Sequence, residues 1–361
     1  MDYHMHHYIY ESPASLRATL TDNESKIKTI LQAGEKKKID KVVLSGLESS
    51  FTAAAIAHSI FQIHCLYPVL LINSEEMGYY QDRWVDAHTL VISVSRSGER
   101  AAVIDTLKNA NERDALIVAV TGVADGLLAQ SAAITLLTRE GPEITLPKTK
   151  SVVTCTAMLM CLGLAFSHVH DQQAAQRLQI LQHLAEPMEK TIQALDPQIS
   201  AALPAIKQHK LINVVGTCSN HGVALEAAIK IQEAALIPTR GDSTSGLLQG
   251  PVGGLNADWL VVLLVMKEDL ELSKQLLVLV RDFGARSLVI CPQGLELEGL
   301  ADHHIAIPDF KDPYLAGLVY LPAIQLLAYY LTVERGLNPD KPKATDSILM
   351  SILPPGRQEP N

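Results

Sequence analysis

A short apolar run that ends in glycine and leads into an alanine-rich helix occurs twice in this chain, about 170 residues apart. The first copy is Lys41–Gly46, followed by Ser49-Ser50 and the helical stretch Thr52–Phe61. The second is Leu211–Gly216, followed by Thr217-Cys218-Ser219-Asn220 and the helical stretch Val223–Ala235. A chain with this pattern is constrained to build one unit twice. Further strands in the first half, Tyr67–Ile72, Thr89–Val94, Leu116–Thr121 and Ala133–Leu137, alternate with helices. In the second half Leu260–Val265 and Ser287–Cys291 flank the helix Leu270–Phe283. Short apolar strands alternating with helices predict a mostly parallel sheet covered on both faces. The fold class is therefore α/β, as two three-layer α/β/α sandwiches. Ser151 to His209 is helical in pattern and joins the halves; Leu315–Gly336 is a final helix, and the tail beyond Asn338 is rich in Pro and Lys. The expected divisions are a helical lead-in over 1–40, units over 41–165 and 206–330, a helical connection over 166–205, and a tail over 331–361.

Composition narrows the function classes. The 361 residues suit two domains of roughly 150. With 48% hydrophobic and 19% charged residues, a sizeable core is available and disorder is excluded. Thirty basic against thirty-nine acidic residues, with no long basic block, argue against a nucleic-acid partner or an anionic membrane surface. The apolar runs Ala157–Phe166 and Trp259–Met266 fall short of the roughly 20 residues that span a bilayer. The start, Met1-Asp-Tyr-His-Met-His-His, lacks a signal-peptide pattern, so a cytoplasmic location is expected. The five cysteines (65, 155, 161, 218, 291) form no CxxC pair, which points to neither a disulfide framework nor a zinc ribbon. No cofactor and no metal are expected. His4, His6 and His7 read as a solvated or partner-facing segment, and the absence of a Gly-rich nucleotide loop disfavours a nucleotide-binding protein.

In open parallel sheets, ligands bind where strand ends lead into helix N-termini. Val91 to Arg100 is such a loop, with the hydroxyls of Ser95 and Ser97, a permissive Gly98, and Arg96 and Arg100 as charge-assisted donors. Taken alone it reads equally well as a serine-rich helix cap with solvated arginines. Two further loops, Gly46-Leu47-Glu48-Ser49-Ser50 and Gly141 to Ser151 with Lys148 and Thr149, also offer hydroxyls. Three such loops exceed what capping needs, and a phosphorylated small molecule is the natural ligand.

Ser95-Arg96-Ser97-Gly98-Glu99 resembles the S-x-S-G-E phosphate loop of SIS (sugar isomerase) domains. Tyr8 to Pro13, Glu76 with its neighbours, the Gly141–Ser151 stretch and Ala224-Leu-Glu226-Ala-Ala-Ile-Lys230-Ile-Gln-Glu233 fall in the order seen in tandem-SIS proteins. The chain is similar, from about residue 5 to 348, to the isomerase half of glucosamine-6-phosphate synthase, without the glutamine-hydrolysing part. The resemblance implies that Ser50, Ser95, Ser97 and Thr149 hold a sugar phosphate, with Ser49, Arg96, Arg100 and Lys148 beside them. It implies that Glu233 is the general base moving a proton between C1 and C2, for which a partly desolvated carboxylate is suited. Lys230, three residues earlier, shares its helix face and would hold or tune it; a surface ion pair is the plainer reading of those two residues. The family's assembly implies a homodimer, with Cys155–Phe166 as a candidate contact.

The chain also departs from the family pattern. Where the family has a G-E-x-x-H-G-P segment whose histidine opens the sugar ring, this chain has Gly246 for the Glu and Gln249 for the His. Gln can hydrogen-bond a ring oxygen but exchanges no proton near neutral pH. The imine-forming lysine falls on Ser347, with Lys341 and Lys343 out of register. Glu48 stands at a glycine position, and Arg96, Arg100, Lys148 and Arg240 add cations or change a charge. The added cations suggest a substrate with a second anionic group, such as an amino acid attached to the sugar, and hence release of an amine by a deaminase or deglycase. His221 is a candidate replacement for the missing histidine. A simple phosphosugar isomerase and a non-catalytic phosphosugar sensor remain as alternatives.

Overall fold

The computed structural model describes residues 3–341 apart from 81–83, 168–169, 296, 298 and 311. Helix α1 (His4–Lys37) leads into β1 (Lys41–Gly46), α2 (Ser49–His64), β2 (Val69–Asn73), α3 (Ser74–Tyr80) and β3 (Thr89–Val94). There follow α4 (Ala101–Glu112), β4 (Leu116–Thr121), α5 (Leu127–Ser131), β5 (Ile134–Leu137) and α6 (Lys150–Ala165). Helices α7 (Gln172–Gln182) and α8 (Ala185–Ile206) lead to β6 (Leu211–Gly216), α9 (Ser219–Ala235), β7 (Thr239–Ser243) and α10 (Thr244–Leu248). The chain continues through β8 (Trp259–Leu264), α11 (Leu270–Asp282), β9 (Arg286–Pro292), β10 (His303–Ile307) and α12 (Ala316–Glu334).

Two five-stranded parallel sheets result, ordered β2-β1-β3-β4-β5 and β7-β6-β8-β9-β10. The duplication read from the sequence is thus a duplication of topology. Every residue of β3 and β4 is buried, as parallel strands covered on both faces require. Strands β7 and β10 were not expected. They are edge strands with polar or charged residues (Thr239-Arg-Gly-Asp-Ser, His303-His), so they lack the apolar run that marks an interior strand.

Helices α2, α6, α9 and α12 pack against one another between the sheets, while α1 lies along α6 and α8. At the α2–α9 crossing the backbones nearly touch: a Cβ on Gly222 would lie 2.6 Å from the Ile56 nitrogen and 2.8 Å from its Cα. Helix α12 is apolar on all sides and, by length and composition alone, would cross a membrane; 89% of it is buried in the fold, where it serves as a core helix.

Candidate active site

Gly46 ends β1 where a side chain would collide with the start of α2, its Cβ falling 2.7 Å from the Ser50 carbonyl carbon. The turn is completed by Glu48 at φ 50°, ψ −125°, a backbone conformation that favours glycine. Cys218 makes the same turn in the second repeat, at φ 54°, ψ −126°. Ser49 and Ser50 thereby occupy the first turn of α2, half-buried. The exposed Glu48 carboxylate faces Arg100, with Nη2 and Oε2 3.5 Å apart, so its negative charge at this corner, where phosphate was expected, is offset.

The loop after β3 is organised by Ser95, whose buried hydroxyl accepts a hydrogen bond from Gly98 N (3.2 Å) while Gly98 adopts φ 69°. Arg96 O accepts from Gly122 N and from the Thr121 hydroxyl, both at 3.1 Å. Arg96 and Ser97 are left half-buried at the rim. Among the described residues, no hydrogen bond engages the hydroxyl of Ser50 or Ser97.

The third loop is held differently. Thr149 is fully buried at the start of α6, and its hydroxyl donates to Glu143 Oε1 (2.8 Å). The same carboxylate oxygen accepts from Thr149 N and Lys150 N, so Glu143 caps α6. Lys148 Nζ donates to Glu143 O (3.1 Å) and Thr145 O (2.7 Å), bracing the loop from within. Thr149 and Lys148, both expected beside a phosphate, have these internal partners in the structure. Lys150 points the other way, to Glu11 at 2.6 Å and over the Tyr8 ring at 4.2 Å.

The second repeat contributes α9. Lys230, 1% exposed, places Nζ 2.6 Å from Glu233 Oε2 and 3.7 Å from Glu226 Oε1. The surface-pair reading is overturned for Lys230, whose ammonium lies inside the protein. Burial alone pulls its pKa down. The charges of Glu226, Glu233 and Glu143 outweigh that, and the net shift is upward, so the cation is retained. Glu233 is about a third exposed, on the open side of the cluster. Glu226 is completely buried. Burial raises its pKa against the opposing pull of Lys230 and of the Thr52 and Ser49 hydroxyls. Thr52 belongs to α2, and its hydroxyl donates to Glu226 Oε2 across the junction of the repeats.

Three residues in this arrangement escaped sequence reasoning. Glu226 was named in a motif without a role, although its place four residues before Lys230 on the same helix was a usable signal. Glu143 stood in a quoted motif without a role. Thr52 had no signal, because its contact spans 174 positions.

Other expected residues are not gathered here. His221 lies in the first turn of α9, twelve residues and about 18 Å of helix from Glu233. It sits beside Asp242, and burial lowers its pKa. Arg240 pairs with that same Asp242 at 3.1 Å. Gln249 is exposed at the end of α10 and makes no side-chain hydrogen bond among the described residues. Ser347 and Lys343 lie outside the described residues. The cysteines are free, and burial pushes the Cys161 thiol up to about 12. Among the described residues no group of three His, Cys, Asp or Glu side chains is arranged to hold a metal ion.

The arrangement has recognisable relatives. Isomerizing glutamine–fructose-6-phosphate aminotransferase of Thermococcus kodakarensis is 28% identical over 340 residues, covering 93% of this chain and 56% of that protein. This chain therefore spans about half the length of that relative. Among solved structures, the C-terminal domain of glucosamine-fructose-6-phosphate aminotransferase from Francisella tularensis superposes with a TM-score of 0.84 at 20% identity, covering 95% of this chain and 99% of that one. The tagatose-6-phosphate ketose/aldose isomerase of Escherichia coli gives 0.81 at 22% identity, covering 93% and 94%. At these identities the superpositions speak for the fold. Residues 37–167 and 205–335 each match the SIS domain family, and the chain belongs to it as a tandem SIS protein.

Proposed function

We propose that the chain is an enzyme of the phosphosugar isomerase class, acting on a hexose 6-phosphate derivative in its open-chain form. One observation carries this reading: Thr52, two residues after Ser50, reaches the Glu226–Lys230–Glu233 cluster, which sets an anion-binding helix start beside a carboxylate base. The phosphate is held at the start of α2 and the loop after β3, by Ser50 and Ser97 with Arg96 and Arg100 supplying charge. Glu233 takes the proton from one carbon next to the carbonyl or imine and returns it to its neighbour. Its carboxylate must be ionised to do so, and the Lys230 ammonium lies 2.6 Å from it. Within this class we favour release of an amine, by a deaminase or a deglycase acting on an amino-acid–sugar 6-phosphate. The cations Arg96 and Arg100 and the aminotransferase names of the relatives support that choice.

A thermal-shift screen of sugar phosphates, followed by turnover assays of the hits, tests the reading. Glu233→Gln is expected to lose at least ~100-fold in kcat while keeping its sugar-phosphate thermal shift. Retained turnover in that variant removes Glu233 from the chemistry. Conjugates turned over no better than hexosamine 6-phosphate would leave the isomerase and the deaminase and set aside the deglycase. Binding with no turnover of any compound favours a sensor, the reading that Gln249 at the ring-opening position supports.

A further inference from the structure

The Thr52 hydroxyl has two acceptors and one proton. Its Oγ1 reaches Glu226 Oε2 on α9 and also lies 3.1 Å from Ser49 O on its own helix. When Glu226 is ionised, Thr52 donates to the carboxylate. When Glu226 is protonated, the acid donates to Thr52 Oγ1, and Thr52 turns its own proton to Ser49 O. Thr52 thus meets Oε2 in either form of a side chain buried completely at the junction of the repeats, while Oε1 has no hydrogen-bond partner among the described residues.

The form that Glu226 takes matters to Glu233, because both lean on one ammonium. Lys230 Nζ lies 2.6 Å from Glu233 and 3.7 Å from Glu226. An ionised Glu226 shares that positive charge and adds a negative one nearby, so Glu233 holds a proton more strongly. A neutral Glu226 leaves Lys230 to Glu233 alone and makes it a weaker base. We propose that Thr52 is a positioning residue, acting through Glu226 to set how much of the Lys230 charge is left for Glu233; this rests on Glu233 being the base.

The charged groups around the cluster come from several elements. Helix α9 supplies Glu226, Lys230 and Glu233, α2 supplies the Ser49 and Thr52 hydroxyls, and the loop before α6 supplies Glu143. Helix α12, also packed on α9, carries its one carboxylate, Glu334, at its far end on Lys207. On β7, Arg240 and Asp242 pair with each other.

The experiment follows the carboxyl carbon of Glu233 by NMR across pH, in protein labelled with ¹³C at glutamate carboxyls, and needs no substrate. Thr52→Val removes a hydroxyl that bonds the ionised Glu226 more strongly than the neutral acid, because a hydrogen bond to a carboxylate is charge-assisted. The Glu233 midpoint is expected to fall by about half a pH unit or more, and Thr52→Ser to restore it. Glu226→Gln, a permanently neutral mimic, should give the same fall, and Thr52→Val added to it should give none further. With a substrate in hand, the acid limb of kcat should move in parallel while KM stays within about twofold. A Glu233 midpoint unmoved in Glu226→Gln overturns the proposal, even if Thr52→Val fails to fold, and so does a Thr52→Ser that behaves as Thr52→Val. A moved midpoint in a protein whose turnover ignores Glu233 overturns the assignment of the base instead.

Discussion

Glu48 and Cys218 stand at equivalent turns with nearly identical positive φ, and neither is glycine. A non-glycine residue there costs on the order of 1–3 kcal/mol when the surroundings hold it in place. The Glu48–Arg100 pair returns little of that, because both side chains are largely exposed. Glu48→Gly is therefore expected to stabilise the fold by about 0.5–1 kcal/mol, after glycine's own entropy cost. Its urea midpoint should rise, and a fall would show that Glu48 has a structural partner beyond Arg100. At this scale the sequence was partly legible. Glu233 was marked by the resemblance to SIS proteins, and Lys230 by standing three residues before it on the same helix face. The buried state of Lys230 was not marked, because the three carboxylates that sustain it include one, Glu143, from the other repeat.

At the scale of elements, the interior strands were legible because burial on both faces writes an unbroken apolar run. Strands β7 and β10 were not, since Arg240, Asp242, His303 and His304 interrupt the apolar run. The seam between α2 and α9 was equally hidden. A glycine inside a helix signals weakness until a facing backbone explains it, and Ile56 supplies that explanation for Gly222. Gly222→Ala should cost about 1–3 kcal/mol through overpacking at that crossing. Gly253→Ala, where an added Cβ meets nothing within 4 Å, should be close to neutral in the same denaturation assay. Equal effects would mean that the helices part without penalty.

For the whole molecule, the two repeats have kept topology and divided the chemistry. After β3 the first repeat carries Ser95-Arg96-Ser97-Gly98. After β8 the second carries Met266-Lys267-Glu268-Asp269, and there the Asp269 carboxylate already accepts a hydrogen bond from Met266 N at 2.8 Å. An internal carboxylate thus fills the turn that, on the proposed reading, the first repeat leaves to a ligand. Titration calorimetry with a bound sugar phosphate is expected to give one site per chain, and two would show that the second corner also binds. The converse holds on the helices: Ile60 and Ile63 occupy in α2 the places that Lys230 and Glu233 occupy in α9, 170 positions later.

The seam has a consequence for how such a protein can fail. Each half keeps its own sheet, so a slip of one helical turn along α2 and α9, about 5.4 Å, would strand the carboxylate from the hydroxyls while both halves stayed intact. Both sheets would still form, and the stranded carboxylate would show as a lower unfolding midpoint. Loss-of-function variants at this crossing would then look folded by secondary structure, and would be separated from healthy chains by stability and by an assay of the chemistry itself.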